Sequence, residues 1–192
     1  MKVLIACEES QAVCIAFRNR GHEAYSCDIQ ECSGGHPEWH IQQDVLEAVL
    51  SQQWDFIGLH IPCTAMAVSG NRWYGKGMPR HNERIQAIEW SIKVWTVVKK
   101  QSKKAYMENP VSVLFSHVKE PIQYIQPWQF GHGETKKTGL ALHNLPLLKP
   151  TNIVNGREQR IWKMPPSAER AKLRSKTYPG ISEAFADQWG NL

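Results

Sequence analysis

The sequence predicts an α/β domain, a mostly parallel sheet with helices on both faces. Three observations point to it. Short apolar runs that do not alternate with polar residues recur along the chain: "KVLIAC", "HEAYSCD", "WDFIGLHI" and "KAYMENP". Strands buried on both faces read this way. Segments with helical periodicity separate several of these runs, which is the rhythm of β-α-β crossovers. The chain has 192 residues, enough for one domain with a substantial interior. No repeat, low-complexity tract or linker cuts it in two, so residues 1–192 are read as a single domain.

Each element follows in order. Lys2 to Cys7 forms a first strand that stops at "EES". "SQAVCIAFRNRG" puts Ala12, Val13, Ala16 and Phe17 on one helical face, with Gly21 as the stop signal. "HEAYSCD" is a second strand ending near Asp28, and residues 29–43 read as a loop. "DVLEAVLSQQ" is a short helix, and "WDFIGLHI" is the most apolar strand and therefore central. The next stretch, "TAMAVSGNRWYGKGMPRHN", carries three glycines and a proline and reads as a mobile or functional loop. "ERIQAIEWSIKVWTVVKK" is the clearest helix, with Ile85, Ile88, Ile92, Trp95 and Val98 on one stripe. "KAYMENP" is a strand ending at Glu108, and "QPWQFGHGETKKTGLALHNL" suggests a hairpin or two strands around a turn. "PGISEAFADQWG" closes the chain as a helix that buries Ile181, Ala184, Phe185 and Trp189.

Composition narrows the class. No apolar run approaches the roughly 20 residues that span a bilayer. "MKVLIACEES" lacks the features of a secretory signal, so a cytoplasmic protein is expected, in the host cytoplasm if the gene is viral. The net charge is +5, which suits a polyanionic or phosphate-bearing partner. The five cysteines, an odd number, fit reduced thiols rather than a disulfide framework.

In an open α/β sheet, ligands bind beyond the carboxyl ends of the strands. Those ends here carry Glu8 and Glu9, then Asp28, then Pro62 and Cys63, then Glu108 and Asn109, with Asp44 after the first long loop. A thiolate is a strong nucleophile for carbon. Cys63, held by a rigid proline, suits attack on an electron-poor ring carbon. That attack needs an acid on the ring to take up the displaced charge, and a carboxyl on the neighbouring strand with a pKa raised by burial would serve.

"IPC" after one strand and "MENP" after a later one resemble the cytosine-C5 methyltransferase family, which has a Pro-Cys and a Glu-Asn motif in this order. "FGHGETKKTGLAL" stands where the family has an F/Y-G-x-P-Q-x-R-x-R segment, with Glu134 for Gln, Lys136 for the first Arg and Thr138 for the second. "ACEESQAV" stands at the family's glycine-rich first loop, and "SKTYPGISEAFADQW" resembles its last segment. The resemblance implies a Rossmann-like fold that uses S-adenosylmethionine. It implies catalysis by Cys63, Glu108 and Asn109 with Pro62. Cofactor contacts are implied at Cys7, Glu8, Glu9 and Ser10, at Asp28 and Ile29, at Asp44 and Val45, and at Ile61. Asp28 and Asp44 match the acidic positions that hold ribose and adenine. Lys136 and Thr138 would grip the substrate. Arg72 and Trp73, in the loop after Cys63, offer phosphate contact and stacking, or merely pack that loop down.

Three departures stand out. The first loop lacks the family's glycines, with Glu8 and Ser10 in their place. The arginine pair is missing, and lysine is a point charge rather than a fork. Only about forty residues separate Thr138 from "KTYPG", too few for a large reading domain. DNA, met through the basic segment 157–176, is the expected substrate. A free deoxycytidine nucleotide such as dCMP and a non-catalytic nucleotide- or nucleic-acid-binding module are the alternatives. The spacing of Cys27, Cys32, His36 and His40 fits no common zinc finger, and Asp28 falls inside it, so no metal is expected. Cys7 and Cys14 read as small apolar side chains, and His60 as a hydrogen-bonded core histidine rather than a group that tunes the thiol.

Overall fold

A computed structural model describes residues 1–192. The apolar runs assemble into one sheet of seven strands: β1 Lys2–Ala6, β2 Glu23–Asp28, β3 His40–Gln42, β4 Phe56–His60, β5 Lys104–Pro110, β6 Ile122–Ile125 and β7 Thr138–His143. Their order is β3-β2-β1-β4-β5-β7-β6, and all run parallel except β7, which is antiparallel to both of its neighbours. The expected α/β class, with a mostly parallel sheet, is the observed one. No helix is long and apolar enough to cross a membrane.

Seven helices accompany the sheet: α1 Ala12–Arg18, α2 Val45–Leu50, the single turn α3 Asn71–Tyr74, α4 His81–Gln101, the single turn α5 Arg160–Lys163, α6 Arg170–Ser175 and α7 Pro179–Trp189. Two apolar layers explain the unbroken hydrophobic strands. Val3 and Ile5 of β1 join Phe17 of α1 and Phe185 and Trp189 of α7 on one face. Leu4 and Ala6 join Val49 of α2 and Trp95 of α4 on the other. A fully buried Val, Leu, Ile or Phe side chain among these contributes roughly 1.5–3 kcal/mol.

The structure departs from the sequence reading in four places. Residues 40–42 form the edge strand β3 inside the expected loop. β5 runs on to Pro110, two residues past Glu108. The buried stripe of α4 is Arg84, Ile88, Ser91, Trp95 and Val98, with Val94 beside it, whereas Ile85 faces solvent and Ile92 is half-buried. Residues 126–145 do not form the expected hairpin or strand pair: they hold a long connection and only β7, whose antiparallel partner β6 lies earlier, at Ile122–Ile125. The closing helix buries the four side chains expected of it.

Strand order reverses between β1 and β4, and beyond the carboxyl ends of such a switch point open α/β sheets bind their ligands. The loops after β4 and β5 are fastened together there. The Val68 N–H donates to the Val111 carbonyl at 3.0 Å and the Val113 N–H to the Met66 carbonyl at 3.1 Å. The Asn109 amide donates to the Ile61 carbonyl at 2.9 Å.

Candidate active site

Cys63 follows the end of β4, and its carbonyl accepts the N–H groups of Met66 and Ala67 at 3.0 and 2.8 Å. That turn holds the thiol half-buried. Arg84 of α4, itself buried, fixes the rest of the loop. Its guanidinium donates to the Ala65 carbonyl at 2.7 Å and to Asn71 Oδ1 at 2.8 Å. Within the same loop Tyr74 is buried, whereas Trp73 is 53% exposed with the Arg72 guanidinium 5.4 Å from its ring centroid. Arg72 and Trp73 therefore face solvent and do not line the cleft beside Glu108.

Glu108, Lys136 and Thr138 line one small cleft with Thr177, Tyr178, Ile181 and Phe185. Burial raises the pKa of Glu108, and Lys136 opposes that rise. Burial also raises the Cys63 thiol, and the charge of Glu108 raises it further, while Lys136 and Arg174 pull it down. Lys136 is lowered by burial, against the pull of Glu108 and Cys63. Glu108 and Lys136 thus act on the Cys63 thiol in opposite senses. Asn109 is wholly buried; its amide N–H₂ holds the Ile61 carbonyl just before Pro62, and its own oxygen finds no partner. Pro62 is exposed on that turn.

Lys136 is held by a network that the sequence did not reveal. Glu134 accepts from both Arg160 Nε, at 3.0 Å, and the Tyr178 hydroxyl, at 2.6 Å. Tyr178 precedes Gly180, whose N–H donates to His132 at 3.1 Å. A Cβ on Gly180 would stand 2.0 Å from the Phe130 carbonyl oxygen, so only glycine permits this contact. The connection before β7 and the start of α7 thus lock together, and Lys136 Nζ donates to the Lys176 carbonyl at 3.3 Å. Buried Thr138 donates to the Lys136 carbonyl at 3.1 Å.

The second cluster lies beyond β1 and β2. Cys7 adopts a left-handed backbone, φ 60°, at the end of β1. Burial raises its thiol pKa, and the charges of Asp28 and Asp44 raise it further. Asp28 accepts the Gln30 N–H at 3.0 Å, and Asp44 caps α2 by accepting the Leu46 N–H at 2.8 Å. Ile29 beside Asp28 is 74% exposed. Val45, Ile61 and Ser10 are buried. Glu8 is taken up by the fold. Its two oxygens accept the N–H groups of Val13 and Cys14, at 2.7 and 3.1 Å, and cap α1 where Gln11 offers no side-chain cap. Burial nevertheless pushes its pKa up to about 8. Glu9 has both carboxylate oxygens buried without a hydrogen bond, and Lys172 of α6 stands 3.8 Å away.

Of the four spaced Cys and His residues, His36 stacks on Trp39 and His40 bonds Ser26 and the Gln30 carbonyl. His60 bonds Tyr106.

No protein-family model and no curated protein matches the sequence. Solved structures do. One, described as a DNA modification methyltransferase encoded within a prophage (E. coli), aligns with a TM-score of 0.53 at 10% identity, over 86% of this chain and 55% of its own. The Entamoeba histolytica methyltransferase EhMeth aligns with a TM-score of 0.53 at 13% identity, over 83% of this chain and 57% of its own. The chain therefore shares the Rossmann-like fold of these methyltransferases and spans a little over half their length.

Proposed function

We propose that this chain is an S-adenosylmethionine-dependent methyltransferase that acts at C5 of cytosine in DNA through a covalent adduct on Cys63. The observation that carries this reading is that Glu108 and Lys136, from two separate segments, line one cleft, and that the charges of both bear on the Cys63 thiol at the end of the neighbouring strand.

Burial keeps Glu108 inclined to the acid form. As an acid it can protonate N3 of the pyrimidine and leaves no negative charge beside the thiol. Lys136 and Arg174 then favour the thiolate. The Cys63 sulfur forms a bond to C6 as Glu108 gives its proton to N3, and the electron pair becomes available at C5. After C5 is substituted, its proton passes to solvent water, the C5–H electron pair forms the C5=C6 double bond as the sulfur leaves C6 as thiolate, and the N3 proton returns to Glu108, which restores the aromatic ring. Lys136 offers a point charge to O2 of the base or to a phosphate. Asn109 holds the turn that carries Cys63.

The second cluster fits the cofactor. Asp28 and Asp44 would hold ribose and adenine, the bare face of Ile29 would meet the adenine ring, and the left-handed turn at Cys7 brings backbone to the carboxyl edge of the sheet. Glu8 serves the helix instead. When bound, S-adenosylmethionine supplies an electrophilic methyl group. DNA would meet residues 157–176, which carry seven lysines and arginines against two glutamates; that net +5 equals the charge of the whole chain. An enzyme acting on duplex DNA has to flip the base from the stack.

Incubation with labelled S-adenosylmethionine and, separately, DNA, dCMP and dCTP tests this reading. Mass spectrometry should find 5-methylcytosine in DNA, and 5-fluorocytosine DNA should trap an adduct that Cys63→Ala abolishes. Product from dCMP alone would move the substrate to the mononucleotide. Neither product nor adduct from any substrate would leave a binding module and remove the enzyme.

A further inference from the structure

We infer that His60 and Tyr106 form a positioning pair for Glu108, fixing which carboxyl oxygen carries the proton. This rests on the proposed role of Glu108 as the acid at the base ring. In the β4–β5 register Gly58 lies beside Tyr106 and His60 beside Glu108, so the four residues sit on one face of two neighbouring strands. His60 Nε2 is 2.7 Å from the Tyr106 hydroxyl, and His60 Nδ1 is 4.0 Å from Glu108 Oε2. Gly58 makes the arrangement possible, because a Cβ there would stand 2.7 Å from the Tyr106 ring and hydroxyl. Phe185 and Trp189 of α7 hold the Tyr106 ring from above, with ring centroids 4.7 and 5.4 Å away.

Hydrogen-bond accounting assigns the proton. Tyr106 is wholly buried and its hydroxyl has His60 as partner. A buried hydroxyl that only accepted would leave its own hydrogen unpaired, at a cost of about 1–3 kcal/mol. Tyr106 therefore donates to Nε2, and the imidazole proton sits on Nδ1, the nitrogen that faces Glu108. Burial holds the ring neutral, with its pKa pushed down to about 3. The pair is thus a dipole aimed at Oε2 and not an ion pair. At 4.0 Å the Nδ1–H acts on Oε2 as a dipole in the free protein, short of a full hydrogen bond. An N–H at Oε2 leaves the acid proton to Oε1. The other groups that face Glu108 are Cys63 after β4, Lys136 before β7 and Tyr178 before α7. Lys136 faces His60 as well, Glu8 faces Tyr106, and Arg174 stands behind Cys63 and Lys136.

The test compares His60→Leu, Tyr106→Phe and His60→Asn, the last keeping a donor near the place of Nδ1. Carbon-13 NMR of the glutamate carboxyls, with Glu108 assigned by Glu108→Gln, reads the site without substrate. An N–H donor favours the carboxylate, so His60→Leu should move the Glu108 titration to higher pH, by roughly one unit, and Tyr106→Phe by part of that. The basic limb of the kcat profile should follow, and kcat should fall on the order of tenfold to a hundredfold at unchanged KM for the cofactor. His60→Asn should restore most of both. An unmoved Glu108 titration in folded His60→Leu and Tyr106→Phe overturns the inference even if the protein methylates cytosine. A moved titration with no methyl transfer by any form, the unaltered protein included, sustains the pair and removes the proposed reaction.

Discussion

At the residue scale, the reactivity of Cys63 is set by neighbours of opposite sign. Glu108 raises its pKa and Lys136 lowers it, both on top of burial. Thiolate is the species that reacts with iodoacetamide. Where Glu108 is ionised, Glu108→Gln removes a negative charge, lowers the thiol pKa and should speed alkylation of Cys63 at a given pH. Lys136→Met removes a positive charge, raises the thiol pKa and should slow it, moving the rate–pH curve to higher pH. Peptide mapping after timed alkylation measures both. Equal rates in all three proteins would separate Cys63 from the two side chains and undo the shared site. The same opposition explains why Glu108 need not be a strong base. In the proposed reaction its acid form would relieve the thiol while serving the ring.

Elements were legible where the chain buries both faces of a strand. β1, β2, β4 and β5 read directly from their apolar runs, and those ends carry Cys63, Glu108 and the acidic cluster. β3 escaped because its three residues are polar or half-buried and lie on a sheet edge, where one face suffices. The α4 stripe was displaced because Arg84 is buried for its hydrogen bonds to the Cys63 loop, and a sequence pattern treats arginine as surface. Glu134, Arg160, His132 and Tyr178 were invisible as a group, since they pair across distances in sequence that no periodicity records. Gly180 offered a signal, a glycine directly after a proline at a helix start. Its Cβ clash with Phe130 makes a definite forecast. Gly180→Ala must push α7 away from the connection that carries Lys136. Overpacking of this kind costs about 1–3 kcal/mol. Chemical denaturation should show that loss, together with slower turnover, because Lys136 loses its anchor. A variant of native stability would mean that the two segments are not locked.

Across the whole molecule, charge is distributed with a direction. Segment 157–176 holds a net +5, and α6 within it reaches both clusters, Glu9 through Lys172 and the thiol through Arg174. A second set of lysines, Lys99, Lys100, Lys103 and Lys104, lies where α4 ends and β5 begins, at the amino edge of the sheet. Only the first set borders the carboxyl edge. If DNA approaches the cleft, neutralising the first set should weaken binding and reduce its salt dependence, and neutralising the second should do neither. On duplex DNA, the slope of log K against log salt falls by about 0.9 for each phosphate that the protein ceases to neutralise. Fluorescence anisotropy with a labelled duplex at several salt concentrations measures it. Lys163→Ala, Lys172→Ala and Lys176→Ala combined should reduce the slope by one to three such steps, roughly 1–3. Lys100→Ala with Lys103→Ala should leave it unchanged and serves as a control of equal charge type. Slopes that respond alike to both sets would mean that DNA is held by diffuse attraction alone. The carboxyl edge would then be a face for a smaller phosphate-bearing substrate, which the basic segment suits as readily by its charge.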